Sequence, residues 1–289
     1  MINLKEKIKA KAKKNDIDMI GFANKERFEG LDARYNPFSI FPDGKTVIII
    51  GQRITRGTLR GVEEGTNFQD YRMFGYTTLD DEFTALACYD ITCAIEDEGY
   101  EAVPVFPNPP EIYGQGIAVK EGAPAPNIAP DFTYAAVACG LGEIGMHGEF
   151  LTRQFGTRQR FQMIITDAQL EPDEILNESI CQKCGKCAEI CPLCAIDINS
   201  VEESEICGKK LNHYKVDYSL CRKCKNGAVL NRLYPTGKPD RLAALCVRTC
   251  VCTLEEKGVL SNTFENKFRK RDAWAIDIYG KSLDTKDLG

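Results

Sequence analysis

Cys181, Cys184, Cys187 and Cys191, followed by Pro192, form a C-x2-C-x2-C-x3-C-P run. Gaps of two let three successive thiolates close around one iron–sulfur cube, while the gap of three turns the fourth thiolate towards a second cube. Pro192 fixes the chain direction at that point. A zinc ribbon would instead separate two C-x2-C pairs by a longer insert and stop at four ligands. The spacing therefore points to a pair of [4Fe–4S] clusters.

Each cube takes four thiolates, so both need cysteines from further along. Cys194, Cys207, Cys221, Cys224, Cys246, Cys250 and Cys252 are available. Cys221 and Cys224 make a second C-x2-C, and Cys246 and Cys250 repeat the offset between Cys187 and Cys191. By that pseudo-repeat, Cys181, Cys184, Cys187 and Cys250 are expected to hold the first cluster, and Cys191, Cys221, Cys224 and Cys246 the second. Cys207 and Cys252 are the alternative ligands, and Cys194 reads as a core residue. Lys183, Lys186, Arg222, Lys223, Lys225 and Arg248 lie among these cysteines. They suit clusters of net negative charge, or equally a solvated surface.

The elements that must position these ligands are legible in outline. Apolar residues at Leu4, Ile8 and Ala12 predict an amphipathic helix over 3–15. A short strand follows over 17–22, and Thr46–Gly51 reads as a strand apolar on both faces, which belongs in an α/β layer covered on two sides. A helix is expected over 79–98, with Leu79, Phe83, Leu86, Ala87, Ile91, Ala94 and Ile95 on its buried stripe and Gly99 ending it. Cys88 and Cys93, without ligand spacing, read as small buried hydrophobes. Residues 101–106 and 161–166 read as strands and 133–139 as an Ala-rich helix. Between them, 107–130 is a Pro- and Gly-punctuated loop of functional length. Gly140, Gly142 and Gly145 either let the backbone approach something bulky or make a tight turn. A dinucleotide fingerprint is a weak reading, because a helix rather than a strand precedes them. The expected domains are 1–170 and 171–289.

Of 289 residues, 43% are hydrophobic and 27% charged, as in ordinary globular proteins. A net charge of −5 disfavours an extended polyanion as partner. The basic stretch Lys267–Arg271 reads as a solvated terminal segment. No long apolar run suits a membrane span, and no secretion signal is read at the start, so the expected location is cytoplasmic. Fourteen cysteines there are better read as metal ligands than as disulfides. With only His147 and His213 present, a His-rich metal site or a bis-His haem is excluded.

Three stretches carry a resemblance over nearly the whole chain. Arg34–Ile50 resembles the N-terminal strand region of epoxyqueuosine reductases. Ala135–Gly145, with Phe155–Arg158 and Ile164–Asp167, is similar to the segment preceding their cluster domain, a segment shared with corrinoid reductive dehalogenases. Val216–Cys221 resembles the stretch that supplies a second-cluster ligand. The resemblance implies a nitroreductase-like N-terminal α/β module followed by a bacterial ferredoxin-like module with two [4Fe–4S] clusters. It also implies a cobalamin (corrinoid) reduced by single electrons, with Gly140, Gly142, Gly145 and Arg158 as candidate corrinoid contacts.

Departures from the family pattern matter. Its Arg-Asp-Tyr-His element stands here as Gln69-Asp70-Tyr71-Arg72, and Pro126 and Asn127 occupy the place of its acid. Asp131, Tyr113 and Tyr134 are the candidate proton donors instead. The helical-repeat extension of many tRNA-acting members is not expected after Gly289, so a tRNA substrate is disfavoured. The implied activity is a reductase acting on a small organic molecule or modified nucleoside. An external low-potential donor, a ferredoxin or flavodoxin, would supply its electrons. The competing readings are a corrinoid-free ferredoxin-type electron carrier and a flavin-containing reductase.

Overall fold

In the computed structural model, residues 3–107, 116–122, 125–231 and 235–288 are described. The chain forms two compact units. One comprises Met1–Gln52, Leu79–Leu141 and Arg160–Leu176, the other Arg53–Thr78, Gly142–Gln159 and Asn177–Gly289. The last crossing lies near the single boundary expected at 170, but segments 53–78 and 142–159 already group with the cysteine-rich unit.

The first unit centres on a four-stranded sheet in the order Met19–Asn24, Thr46–Arg53, Gln159–Thr166, Ala102–Val105. Val47, Ile48, Ile49 and Ile50 are all fully buried, which requires cover on both faces. On one face the helices Leu4–Lys14 and Ala85–Glu96 bring Ile8, Ala12, Cys88, Ile91 and Ile95 against Phe22, Ile48, Ile50 and Ile164. On the other lies the Ala-rich helix Phe132–Ala138. Its following residue, Cys139, packs so close to Gly21 that a Cβ there would meet the Cys139 carbonyl at 2.5 Å. The α/β layering is as expected, but the outer strand pairs, Met19–Asn24 with Thr46–Arg53 and Ala102–Val105 with Gln159–Thr166, are antiparallel. Residues 25–45 contain only short 3-10 turns, so no crossover helix is available there to make the first pair parallel.

The 79–98 helix departs from its expected phase. Leu79–Thr84 winds as a π-helix before Ala85–Glu96 continues as an α-helix. Leu79, Ala87, Ile91 and Ile95 are buried, while Phe83 and Leu86 face outward at 48% and 67% exposure. A π-turn adds a residue per turn, so a stripe drawn at 3.6 residues rotates off the core.

In the second unit a hairpin pairs Ile196–Ile206 with Lys209–Val216, with a bulge between Asp197 and Val201. Cys207 and Gly208 make its turn with φ of 52° and 79°, the left-handed pair of a tight two-residue connection. The helix Leu245–Glu256 packs against the helical turn Lys186–Glu189. Within 267–271, Lys267, Lys270 and Arg271 are exposed as a solvated segment would have them, but Phe268 and Arg269 are tied into the fold. Phe268 is 2% exposed, and Arg269 donates from Nε to the buried Glu63 at 2.7 Å.

Candidate metal centre

Two cavities of the second unit are each ringed by four cysteines. Cys181, Cys184, Cys187 and Cys250 line one, together with His147. Cys191, Cys221, Cys224 and Cys246 line the other, together with Pro192 and Arg241. Two helical segments serve both rings. Cys187, on Lys186–Glu189, precedes Cys191 by four residues, and Cys246 precedes Cys250 by four on Leu245–Glu256. The longer helix thus gives one thiol to each cavity, while Cys187 on the short one and Cys191 just beyond its end divide between them.

Neighbouring thiolates on one tetrahedral zinc sit about 3.8 Å apart, given Zn–S bonds of about 2.3 Å. Among the described residues no three His, Cys, Asp or Glu side chains gather closely enough for a single ion. Four thiols around one cavity is the ligand number of a four-iron cube. Backbone N–H groups already face the sulfurs. Met146 donates to Cys181 Sγ at 3.4 Å, Ala195 to Cys191 Sγ at 3.3 Å and Asn226 to Cys224 Sγ at 3.4 Å. Left-handed backbone at Lys183 and Gly185 curls the first loop inward. Gly227, at φ 97°, leaves no room for a Cβ, which would meet the Ala243 carbonyl at 2.1 Å.

Burial, then the neighbouring thiols Cys181 and Cys184, pushes the Cys187 thiol up to about 12. Burial raises Cys246 and Cys250 well above the ordinary thiol value. Burial also raises Cys221, to about 11, against the opposing pull of Arg241. Such thiols release their protons to solvent only as a strong Lewis acid such as iron binds the sulfur, so loading and deprotonation are coupled. The two rings differ in access. In the first, Cys184 is exposed, Cys181 and Cys250 half-buried and Cys187 buried; in the second, Cys191, Cys221 and Cys246 are buried and Cys224 half-buried.

The remaining cysteines lie off the rings. Cys207 sits in the hairpin turn, and Cys252 faces Glu256, its Sγ 3.5 Å from Oε1. Cys194 is exposed at a left-handed turn position rather than in the core, because the turn after Pro192 carries it outward. Cys88 is buried as expected, Cys93 half-buried.

The glycine segment has a different use from the one first suggested by its composition. A Cβ on Gly140 would meet the Glu174 carbonyl at 2.1 Å, and one on Gly142 the Leu151 carbonyl at 1.9 Å. One on Gly145 would meet Leu151 Cδ1 at 2.7 Å. Protein atoms fill the space the missing side chains leave. Between these glycines, Glu143 accepts at Oε1 from the backbone N–H of Ile180 and of Cys181, both at 2.7 Å, and from Ser179 Oγ at 3.1 Å. Lys209 pairs with its other oxygen at 3.3 Å. The segment therefore anchors the loop that opens the cysteine run. Arg158, 1% exposed, donates to the Ile54 carbonyl and to Asn262 Oδ1, both at 2.9 Å.

The candidate proton donors are also engaged within the fold. Asp131 caps the Phe132–Ala138 helix by accepting from Tyr134 N, and the Tyr134 hydroxyl donates to the Arg27 carbonyl at 2.8 Å. Tyr113 lies outside the described residues. In the altered motif, buried Tyr71 donates its hydroxyl to Asp240.

Spacing does not reveal the buried polar groups around the rings. Arg248, fully buried between Cys246 and Cys250, donates from Nε to Glu63 at 2.7 Å. Arg241, 1% exposed, donates from Nε to Glu149 at 2.8 Å. Their partners lie 185 and 92 residues away. The visible signal was only that these arginines stand near cysteines.

No protein-family model matches the chain. A tetrachloroethene reductive dehalogenase of Dehalobacter restrictus is 34% identical over 122 residues, 40% of this chain and 21% of that protein. The chain thus spans about a fifth of the length of that curated relative. Among solved structures, a catabolic reductive dehalogenase matches 97% of this chain and 40% of its own at TM-score 0.53 and 15% identity. An epoxyqueuosine reductase solved with a tRNA-Tyr stem loop matches 93% of this chain and 69% of its own at TM-score 0.49 and 16% identity. No helix among the described residues is long and apolar enough to cross a membrane. The chain is a mixed helix-and-sheet protein whose fold is like that of the catabolic reductive dehalogenase, and over 122 residues its sequence is similar to the tetrachloroethene reductive dehalogenase.

Proposed function

We propose that this chain is an iron–sulfur oxidoreductase holding two [4Fe–4S] clusters and passing single low-potential electrons to a reducible acceptor. The observation that carries this reading is the pair of cavities, each ringed by four cysteines. Cys181, Cys184, Cys187 and Cys250 would hold the first cluster, and Cys191, Cys221, Cys224 and Cys246 the second. When bound, each cluster takes up and releases one electron at a time. The chain's own residues anchor the loops, direct N–H groups at the sulfurs and keep water from the second ring. The exposed Cys184 makes the first ring the entry side for an external ferredoxin or flavodoxin. On this reading the sheet unit is nitroreductase-like, the cysteine-rich unit is ferredoxin-like, and the setting is cytoplasmic.

The superfamily also implies a corrinoid, whose cobalt would supply the reducing chemistry. Gly140, Gly142 and Gly145 do not fit that role, because backbone or side chain fills the space beside each. Arg158 spends two of its guanidinium nitrogens inside the fold and keeps a buried Nε without a partner. The likeness to a tetrachloroethene reductive dehalogenase supports a small organic substrate over tRNA.

Metal analysis and electron paramagnetic resonance of anaerobically purified protein test the reading. About eight irons per chain with two reducible cluster signals are expected. Stoichiometric zinc without iron would overturn it. Bound cobalt would require a cradle built from other residues, and bound flavin would favour the flavoenzyme reading.

A further inference from the structure

Two buried side chains beside the rings each keep a nitrogen without a protein partner, Nε2 of His147 and Nη1 of Arg241. His147 lines the first cavity and Arg241 the second. One short segment locks both. The backbone N–H of Glu149 donates to His147 Nδ1 at 3.0 Å. Nδ1 is therefore the acceptor of the ring, and in the neutral imidazole the proton sits on Nε2. Burial favours the neutral ring and holds its pKa at about 4. Arg241 donates from Nε and Nη2 to the Glu149 carboxylate, and from Nη2 to the His147 carbonyl at 2.7 Å. Those contacts occupy two guanidinium nitrogens and leave Nη1 over, and the guanidinium also lies within hydrogen-bond reach of the Cys221 thiol. Both orphans are thus oriented N–H donors in water-poor surroundings, where a donor without an acceptor is rarely retained.

Cluster sulfurs are acceptors of negative charge, and hydrogen bonds to them raise the reduction potential by favouring the reduced state. We infer that His147, Glu149 and Arg241 form a redox-tuning strap, with His147 Nε2–H donating to a sulfur of the first cluster and Arg241 Nη1–H to a sulfur of the second. Glu149 is the positioning residue, since its amide fixes the histidine tautomer and its carboxylate fixes the arginine. Met146, next in the chain, adds a backbone N–H to Cys181 Sγ from the same side. The inference rests on the cluster reading of the two cavities.

A potentiometric titration of the anaerobically purified whole chain, followed by electron paramagnetic resonance, tests it. Cys184→Ser and Cys221→Ser spectra assign the two signals. His147→Leu should make reduction of the first cluster about tenfold less favourable, a fall of about 59 mV for one electron, and leave the second in place. His147→Gln, which keeps an N–H donor, should recover most of that shift. Arg241→Met with Glu149→Gln, which leaves no carboxylate buried without its cation, should lower the second cluster alone. Potentials unmoved by these changes, or both clusters moving together, would overturn the strap. Should the variants not fold, pulsed resonance on wild-type protein labelled with 15N-histidine decides, with a His213→Gln control. A 15N coupling to the reduced first cluster is expected, and its absence overturns the assignment. Wild-type protein without any cluster signal would instead defeat the cluster reading itself.

Discussion

Replacing Glu143 by alanine isolates the part of the glycine segment that holds the first cysteine loop. The substitution removes the acceptor of the Ile180 and Cys181 amides and of the Ser179 hydroxyl, and releases Lys209. The serine can turn to solvent, so the cost falls on the two amides. Each amide left unsatisfied costs about 1–3 kcal/mol, giving about 2–6 kcal/mol for the closed loop. At about 1.4 kcal/mol per decade, even the lower bound opens the loop roughly 30-fold more often. Iron capture by a ferrous chelator, read together with the two resonance signals, would report this. The first cluster should be lost roughly 30-fold faster than in wild type or more, while the second keeps its rate. Glu143→Gln, which retains an acceptor oxygen, should fall between. Unchanged release, or equal acceleration of both clusters, would refute this account of the loop.

Cys184→Ser and Cys250→Ser should abolish the same resonance signal and about half the iron, whereas Cys221→Ser should abolish the other; a Cys250→Ser protein lacking the Cys221 signal would break the partition. Glu63→Gln leaves the fully buried Arg248 facing Arg269 without a counter-charge. It should cost about 3–5 kcal/mol, a drop in melting temperature on the order of 10 °C, and an unchanged melt would contradict it. Acid should destabilise the chain in two stages. Burial depresses His147 from 6.5 to about 4, so the unfolded state protonates first and stability present above pH 6.5 is lost as pH falls towards 4. Burial would raise Glu149, but Lys238 and Arg241 outweigh it and hold the carboxyl at about 2. Stability present above its ordinary value of 4.5 is therefore lost as pH falls towards 2. Each stage is worth on the order of 3 kcal/mol. Denaturation midpoints measured across this range should lose the first stage in His147→Gln, and an unaltered profile would exclude the histidine as its source.

The cysteine run was legible because ligand spacing is local chemistry, dictated by how far a thiolate can reach from one turn of chain. The doubly covered strand at Thr46 was legible for a similar reason, since an unbroken apolar run admits few environments. Phe83 and Leu86 were misplaced because π-winding changes the angle per residue, which no 3.6-residue template registers. Gly140, Gly142 and Gly145 announced a close approach without saying to what, and the answer was carbonyls and side chains of the same chain. The carboxylate partners of Arg241 and Arg248 lie 92 and 185 residues away, and the Ser179 hydroxyl that Glu143 holds lies 36 away, so all depend on the finished fold.

Cys246 and Cys250 stand one turn apart on a single α-helix, and successive positions along such a helix rise about 1.5 Å each. On the proposed cluster reading, the separation of the two centres is therefore ruled by the pitch of a rigid rod rather than by the slack of a loop. Substitutions in the surrounding loops can alter how eagerly each centre holds its electron. They have little purchase on how far that electron must jump.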